Sequence, residues 1–154
     1  MADEMKDDLA ARGLEAFAPY LMNRIMRRYN QTLLARMAAY DLSIPKMRAL
    51  AVLAVRDGLT VNELAVYSMA EQPTMSRTLD QLEKDGLIKR TVSEADSRVR
   101  LCSLTETGRE MYRRTWPEMN AAEQAMFDGI SKEDREQVLA TLGRMLDNIK
   151  QHDF

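Results

Sequence analysis

The segment Glu71-Gln-Pro-Thr-Met-Ser-Arg-Thr-Leu-Asp-Gln-Leu-Glu-Lys-Asp-Gly-Leu-Ile88 decides how this 154-residue chain is read. Met75, Leu79 and Leu82 recur at spacings of four and three, which puts them on one face of a helix that begins at Pro73. Gly86 closes that helix, because glycine enters the left-handed conformation of a helix C-terminus without steric strain. The same period leaves Thr74, Arg77, Gln81 and Lys84 outside. Two segments of strand character follow, 87–93 and 99–104, joined by the polar Glu94-Ala-Asp-Ser-Arg98. This is a hairpin with a charged tip.

Upstream, Thr60-Val-Asn-Glu63 has the pattern of a capping box and opens a short helix ending near Ser68, with a turn at 69–71. Before it, a helix opens at Ser43, carries Pro45 in its first turn and stops at Asp57–Gly58. A long helix runs from Tyr20 to Tyr40 behind Pro19, with Leu21, Ile25, Tyr29, Leu33, Met37 and Tyr40 on one face. Downstream of Thr105 the helical period returns through Met111, Tyr112, Met119, Ala122 and Met126, with a kink expected near Trp116 from Pro117. A last helix opens at Ser131 and continues through Val138, Leu142, Met145 and Ile149.

The expected fold is mainly α with a small β-wing: a winged helix-turn-helix with N- and C-terminal dimerisation helices. Residues 1–40 form the N-terminal dimerisation helix region, 41–104 the winged helix-turn-helix DNA-binding region and 105–154 the C-terminal dimerisation helices, in a single folded unit. No repeat, low-complexity tract or Pro/Gly-rich linker marks a second domain. The long flanking helices carry more apolar surface than a winged-helix module of about 70 residues covers, which points to a second copy as the outlet.

Two helices joined by a tight turn and followed by a hairpin place the second helix in a DNA major groove. At its start, Gln72, Thr74 and Ser76 offer donors to phosphates or base edges, and the planar fork of Arg77 matches guanine O6 and N7. Lys84 lies further along the exposed side. The helix N-terminus favours a phosphate through its unpaired amides. At the wing tip Asp96 stands two residues from Arg98, placed to brace it for a narrow minor groove, with Ser97 between them. Arg90 and Arg100 are candidates for phosphate contacts.

Charge alone leaves the matter open. The net charge is −2, so any DNA contact is local. Between Glu71 and Arg100, Arg77, Lys84, Lys89, Arg90, Arg98 and Arg100 are matched by Glu71, Asp80, Glu83, Asp85, Glu94 and Asp96. The order favours DNA, since acids gather toward the C-terminal half of the helix while its start and the wing carry arginines. The alternative is a winged-helix protein-interaction module without DNA binding.

Other classes find little support. Asp3, Glu4, Lys6, Asp7 and Asp8 occupy the start where a secretory signal needs a basic and then apolar stretch. The apolar run 49–55 falls far short of the ~20 residues of a membrane span. The lone Cys102 excludes an internal disulfide, and a cytoplasmic location is expected. The single histidine, His152, lies in the C-terminal tail, and neither a glycine-rich nucleotide loop nor zinc-ligand spacing occurs. No catalytic residue, metal site or cofactor is expected.

The segment 71–88, the pair Asp96-x-Arg98 and Leu104-Thr-Glu-Thr-Gly108 together resemble the MarR family of bacterial regulators, particularly its SlyA-type members. The resemblance covers roughly Tyr20 to Ile149. It implies a homodimer joined through its N- and C-terminal helices, each lobe binding half of a pseudo-palindromic site in double-stranded DNA. Carried over by position, Pro73, Thr74, Ser76 and Arg77 read the major groove, and Arg98, braced by Asp96, is the wing arginine. Ser97 stands where SlyA-type proteins usually have a further arginine, which leaves the minor groove to Arg98. The family also implies a ligand-responsive repressor whose small aromatic or phenolic effector sits between the dimer frame and the DNA lobes. Tyr20, Arg24, Arg28, Tyr29, Tyr112 and Trp116 are the candidates to line that pocket. Cys102 lies in the second wing strand, away from the N-terminal region where peroxide sensors of this family carry their reactive cysteine, and is read as structural.

Overall fold

Side-chain hydrogen bonds set most of the helix starts. The computed structural model describes residues 8–154, so most of the charges read as a non-secretory start lie outside the described residues. The order is α1 (Leu9–Arg12), α2 (Ala18–Met37), α3 (Ile44–Val55), α4 (Val61–Tyr67), α5 (Gln72–Lys84), β1 (Ile88–Val92), β2 (Arg100–Leu104), α6 (Glu106–Met126) and α7 (Lys132–Ile149). Ser43, Thr60, Thr105 and Ser131 each cap the helix that follows, their hydroxyls accepting from a backbone amide three residues on. Thr60 and Glu63 complete the capping box, with Glu63 Oε2 accepting from the Thr60 amide at 2.8 Å. Removing such a cap typically costs about 0.5–2 kcal/mol.

Two details differ from expectation. The long N-terminal helix begins at Ala18 and gives way at Ala38 to a 3-10 turn, ended by Asp41 in the left-handed region (φ 54°). The short α1, too brief to show a period, precedes it. α6 continues as one helix through Pro117, whose missing amide leaves the Arg113 carbonyl without its intrahelical donor.

One core joins the elements. Met47, Leu50 and Leu53 of α3, Leu64 of α4 and Met75, Leu79 and Leu82 of α5 are buried together with Ile88, Cys102 and Leu104 of the wing. Leu33 and Met37 of α2 and Ala122 of α6 belong to the same cluster. The strands pair antiparallel, Ile88 opposite Leu104, Arg90 opposite Cys102 and Val92 opposite Arg100. Leu59 adds a single bridge on the far edge of β2, exchanging both backbone hydrogen bonds with Cys102 at 2.7 and 3.2 Å.

The joint between wing and α6 explains the Leu104-Thr-Glu-Thr-Gly108 motif. The Thr105 hydroxyl donates to the Gly86 carbonyl at 2.6 Å and accepts from the Gly108 amide at 3.0 Å. Gly108 lets α6 approach the backbone of Leu87, since a Cβ there would lie 1.9 Å from the Leu87 carbonyl oxygen. Asp57, at the end of α3, accepts from the Leu104 amide and from Arg109, tying the same joint from below.

The terminal helices are built differently. No residue of α7 is buried, and its apolar face is open, with Leu146 60% and Ile149 75% exposed. Leu21, Met22, Ile25 and Met26 on the first half of α2 are exposed as well. Within one chain α7 is held at its start by Arg135, which donates to Glu123 at 2.7 Å and lies over the Phe127 ring. Among the described residues no helix is long and apolar enough to cross a membrane.

Candidate nucleic-acid interface

α5 differs from the other long capped helices at its start. Its N-cap is Glu71, whose side chain makes no capping bond, and Pro73 contributes no amide. The first-turn amides are thus left to water or to an anion. Gln72, Pro73, Thr74 and Arg77 are exposed around this end, and Ser76 is half-buried. The buried Thr78 turns its hydroxyl back to the Thr74 carbonyl at 2.9 Å, which leaves the outer stripe to Thr74, Arg77, Gln81 and Lys84.

The structure sorts the charges that balance in the sequence. Asp80 pairs with Arg90 at 2.7 Å, Glu83 approaches the same guanidinium at 3.8 Å, and Asp85 accepts from Lys46 of α3 at 3.1 Å. Asp96 is engaged by Arg98. Of the acids between 71 and 100, only Glu71 and Glu94 have no cationic partner among the described residues. Arg77, Lys84, Lys89 and Arg100 are exposed with no ion pair among those residues, so four cations of the reading helix and wing stand free to meet a phosphate.

Arg90 corrects one expectation. Its side chain is only 19% exposed and is held against α5 by Asp80 and Glu83, so it is not presented to a phosphate. Burial on its own lowers the pKa of this guanidinium, but the Asp80 hydrogen bond and the Glu83 charge outweigh that and leave it raised. The sequence-local view missed this tie because the partners lie on a different element.

At the wing tip, Ser93 and Val99 close the loop by a backbone bond of 2.8 Å, and the Val99 amide donates to the Asp96 carbonyl. The Asp96 carboxylate accepts three bonds from Arg98: the backbone amide at 2.9 Å, Nε at 3.1 Å and Nη2 at 3.0 Å. These bonds hold the Asp96 carboxyl below the usual carboxylate range. Arg98 is thereby oriented while its side chain stays 88% exposed. Ser97 is exposed next to it, and Arg100 stands exposed at the start of β2.

The six residues expected around an effector do not come together. Tyr20 accepts from Arg24 at 3.0 Å near the start of α2, and Arg28 is exposed on the same helix. Tyr112 and Trp116 lie with ring centres 6.1 Å apart on α6. Arg36 bonds Glu118 at 2.7 Å and Arg114 lies over the Tyr40 ring, an antiparallel register that sends Tyr20 and Tyr112 to opposite ends of the helix pair. Tyr29 sits between them, half-buried, its hydroxyl pKa raised by burial and by Glu123 against the opposing effect of Arg48. Neither the groove of about 370 Å³ along Thr141–Asn148 nor that of about 360 Å³ beside Leu42, Lys46 and Gln81 includes any of the six.

Cys102 is fully buried, and burial raises its thiol pKa, partly offset by Arg90. His152 stacks on Phe154 at 5.1 Å, and Phe154 in turn lies 5.8 Å from the Tyr67 ring, so the tail rests on α4. Among the described residues no cluster of His, Cys, Asp or Glu side chains is arranged to hold a metal ion.

Comparison with known proteins agrees with this geometry. Residues 40–99 match the model of the MarR family. The chain is 26% identical over 133 residues to the HTH-type transcriptional repressor IacR of Pseudomonas putida, covering 86% of this chain and 77% of the relative. It superimposes with a TM-score of 0.73 on S. aureus MepR in a DNA complex, at 28% identity over 86% of this chain and 98% of the other. A MarR-family transcriptional regulator from Silicibacter pomeroyi aligns with a TM-score of 0.90 and 48% identity, covering 96% of this chain and 99% of that structure. With that identity across nearly the whole length, and with reading helix, braced wing and Thr105–Gly108 joint all in place, the chain belongs to the MarR family of transcriptional regulators.

Proposed function

We propose that the protein acts in the cytoplasm as a homodimeric repressor of a pseudo-palindromic operator, with α5 in the major groove and Arg98 at the adjacent minor groove. The observation that carries this reading is the sorting of charge: acids next to the reading stripe are paired with Arg90 and Lys46, while Arg77, Lys84 and Arg100 stay exposed and unpaired among the described residues. The dimer is supported by α7, an amphipathic helix whose apolar face has no buried residue in one chain. Two reading helices about 34 Å apart then meet successive major grooves. That MepR has been solved with DNA and that IacR is named a repressor support the direction of the assignment. The reading also includes a small aromatic or phenolic effector, for which Tyr112 and Trp116 offer ring surface on the helix that carries Arg114.

Gel-shift titration on the upstream region of the protein's own gene tests the assignment. Arg77→Ala and Arg98→Ala are each expected to weaken binding by about 1–3 kcal/mol, with the dimer mass unchanged. Unaltered titration curves for both variants would favour the protein-interaction module instead.

A further inference from the structure

We infer that Arg90 is a positioning residue that sets the pose of the wing against the reading helix, so that both grooves are engaged together, without itself touching DNA. This rests on the DNA-binding reading above. The hairpin leaves α5 through Asp85 and Gly86, the latter at φ +73°, a hinge of low steric resistance. The Leu87 amide bonds the Leu82 carbonyl at that hinge and Leu59 bridges Cys102 on the far edge of β2, but neither contact ties β1 to the flank of α5. Arg90, third residue of β1, supplies the lateral tie: Nη2 donates to Asp80 at 2.7 Å and Nε faces Glu83 at 3.8 Å. Asp80 and Glu83 are three residues apart on α5, so one guanidinium spans a full turn of the helix. The Arg90 side chain lies opposite Cys102 on the neighbouring strand and is only 19% exposed, which restricts it to this one pose, while Asp80 stays 62% exposed.

The tie has a second effect. Asp80 lies three residues from Arg77 and Glu83 next to Lys84, where uncompensated carboxylates would repel a phosphate backbone. Arg90 offsets Asp80 by a direct hydrogen bond and Glu83 only in part, from the side away from the reading stripe.

The double variant Asp80→Asn/Glu83→Gln tests the inference, because the two accounts predict opposite signs. If Arg90 is a positioning residue, removing its anchors weakens operator binding roughly five- to tenfold and erases hydroxyl-radical protection at the minor groove, although the protein has become more positive. If Arg90 contacts phosphate, or if only net charge matters, removing two acids beside DNA strengthens binding, and the inference is overturned. Arg90→Ala is expected to weaken binding with an unchanged slope of log affinity against log salt, whereas loss of a phosphate contact lowers that slope by about 0.9. A melting curve and a mass measurement on each variant separate loss of pose from loss of fold; reduced affinity that merely follows unfolding overturns the inference too. Should the unmutated chain protect no DNA, the DNA-binding reading itself fails and takes the inference with it. Protection by the unmutated chain with tighter binding by the double variant sinks the inference alone.

Discussion

The lobe formed by α3, α4, α5 and the wing buries most of its apolar residues, Val55, Met69 and Val92 apart, whereas the frame formed by the first half of α2 and by α7 leaves its own open. Leucines occur in both at helical spacing, yet Leu79 and Leu82 are fully buried and Leu142 and Leu146 are not. Periodicity therefore shows which face of a helix seeks cover, and says nothing of whether the cover comes from the same chain. The lobe is complete in one copy. The frame is half of something.

The strongest way to break this contrast is to charge the open face. Leu142→Glu with Leu146→Glu is expected to weaken self-association at least ~100-fold, about 3 kcal/mol, by leaving carboxylates without partners in an apolar seam. Sedimentation velocity across a concentration series reads this out, and circular dichroism should show the lobe still folded. A dimer that survives both changes would mean that α7 is covered by something else.

The next test addresses the lobe's own closure. Gly108→Ala puts a methyl group against the Leu87 carbonyl, where the contact is with backbone and cannot be relieved by a rotamer. Chemical denaturation should show a loss of about 1–3 kcal/mol, despite the better helix propensity of alanine. A neutral or stabilising outcome would mean that the wing–α6 joint is looser than its hydrogen bonds to Thr105 indicate.

The smallest expected effect concerns the wing tip. Since the folded pKa of Asp96 lies below its unfolded value of about 3.9, the brace is fully present above that value and is lost as pH falls through the lowered one. At neutral pH it is intact. Carboxyl chemical shifts followed through an acid titration should place Asp96 below ordinary aspartates, and Arg98→Ala should return it part of the way, since the backbone amide at 98 still donates to it. The pair lies at the solvated wing tip, with Arg98 88% exposed, so the melting temperature should hardly move.

Much of the lobe was legible because its signals are local. The Thr60–Glu63 box, the 75–79–82 spacing, Gly86 and the Asp96–Arg98 pair each act over a few residues. What escaped required distance. Leu59 pairs with Cys102 as a strand of one residue, with no alternation to reveal it, and Lys46 finds Asp85 on another helix. Arg90 looked like a phosphate ligand because its charge was visible and its anchors were not. The aromatic and arginine residues of α2 and α6 suggested one pocket by composition, until the Arg36–Glu118 bond set a register that separates them.

If the bare flank of α7 is closed by a second copy, as proposed, protein abundance becomes part of the mechanism. A chain that completes itself by meeting its twin obeys mass action: below the dimer's dissociation constant, and with operators far from saturated, occupancy falls with the square of the number of chains, so halving synthesis leaves roughly a quarter of the former occupancy. A surface left unfinished thus gives the cell a steeper response to dosage than a self-contained reader of the same affinity.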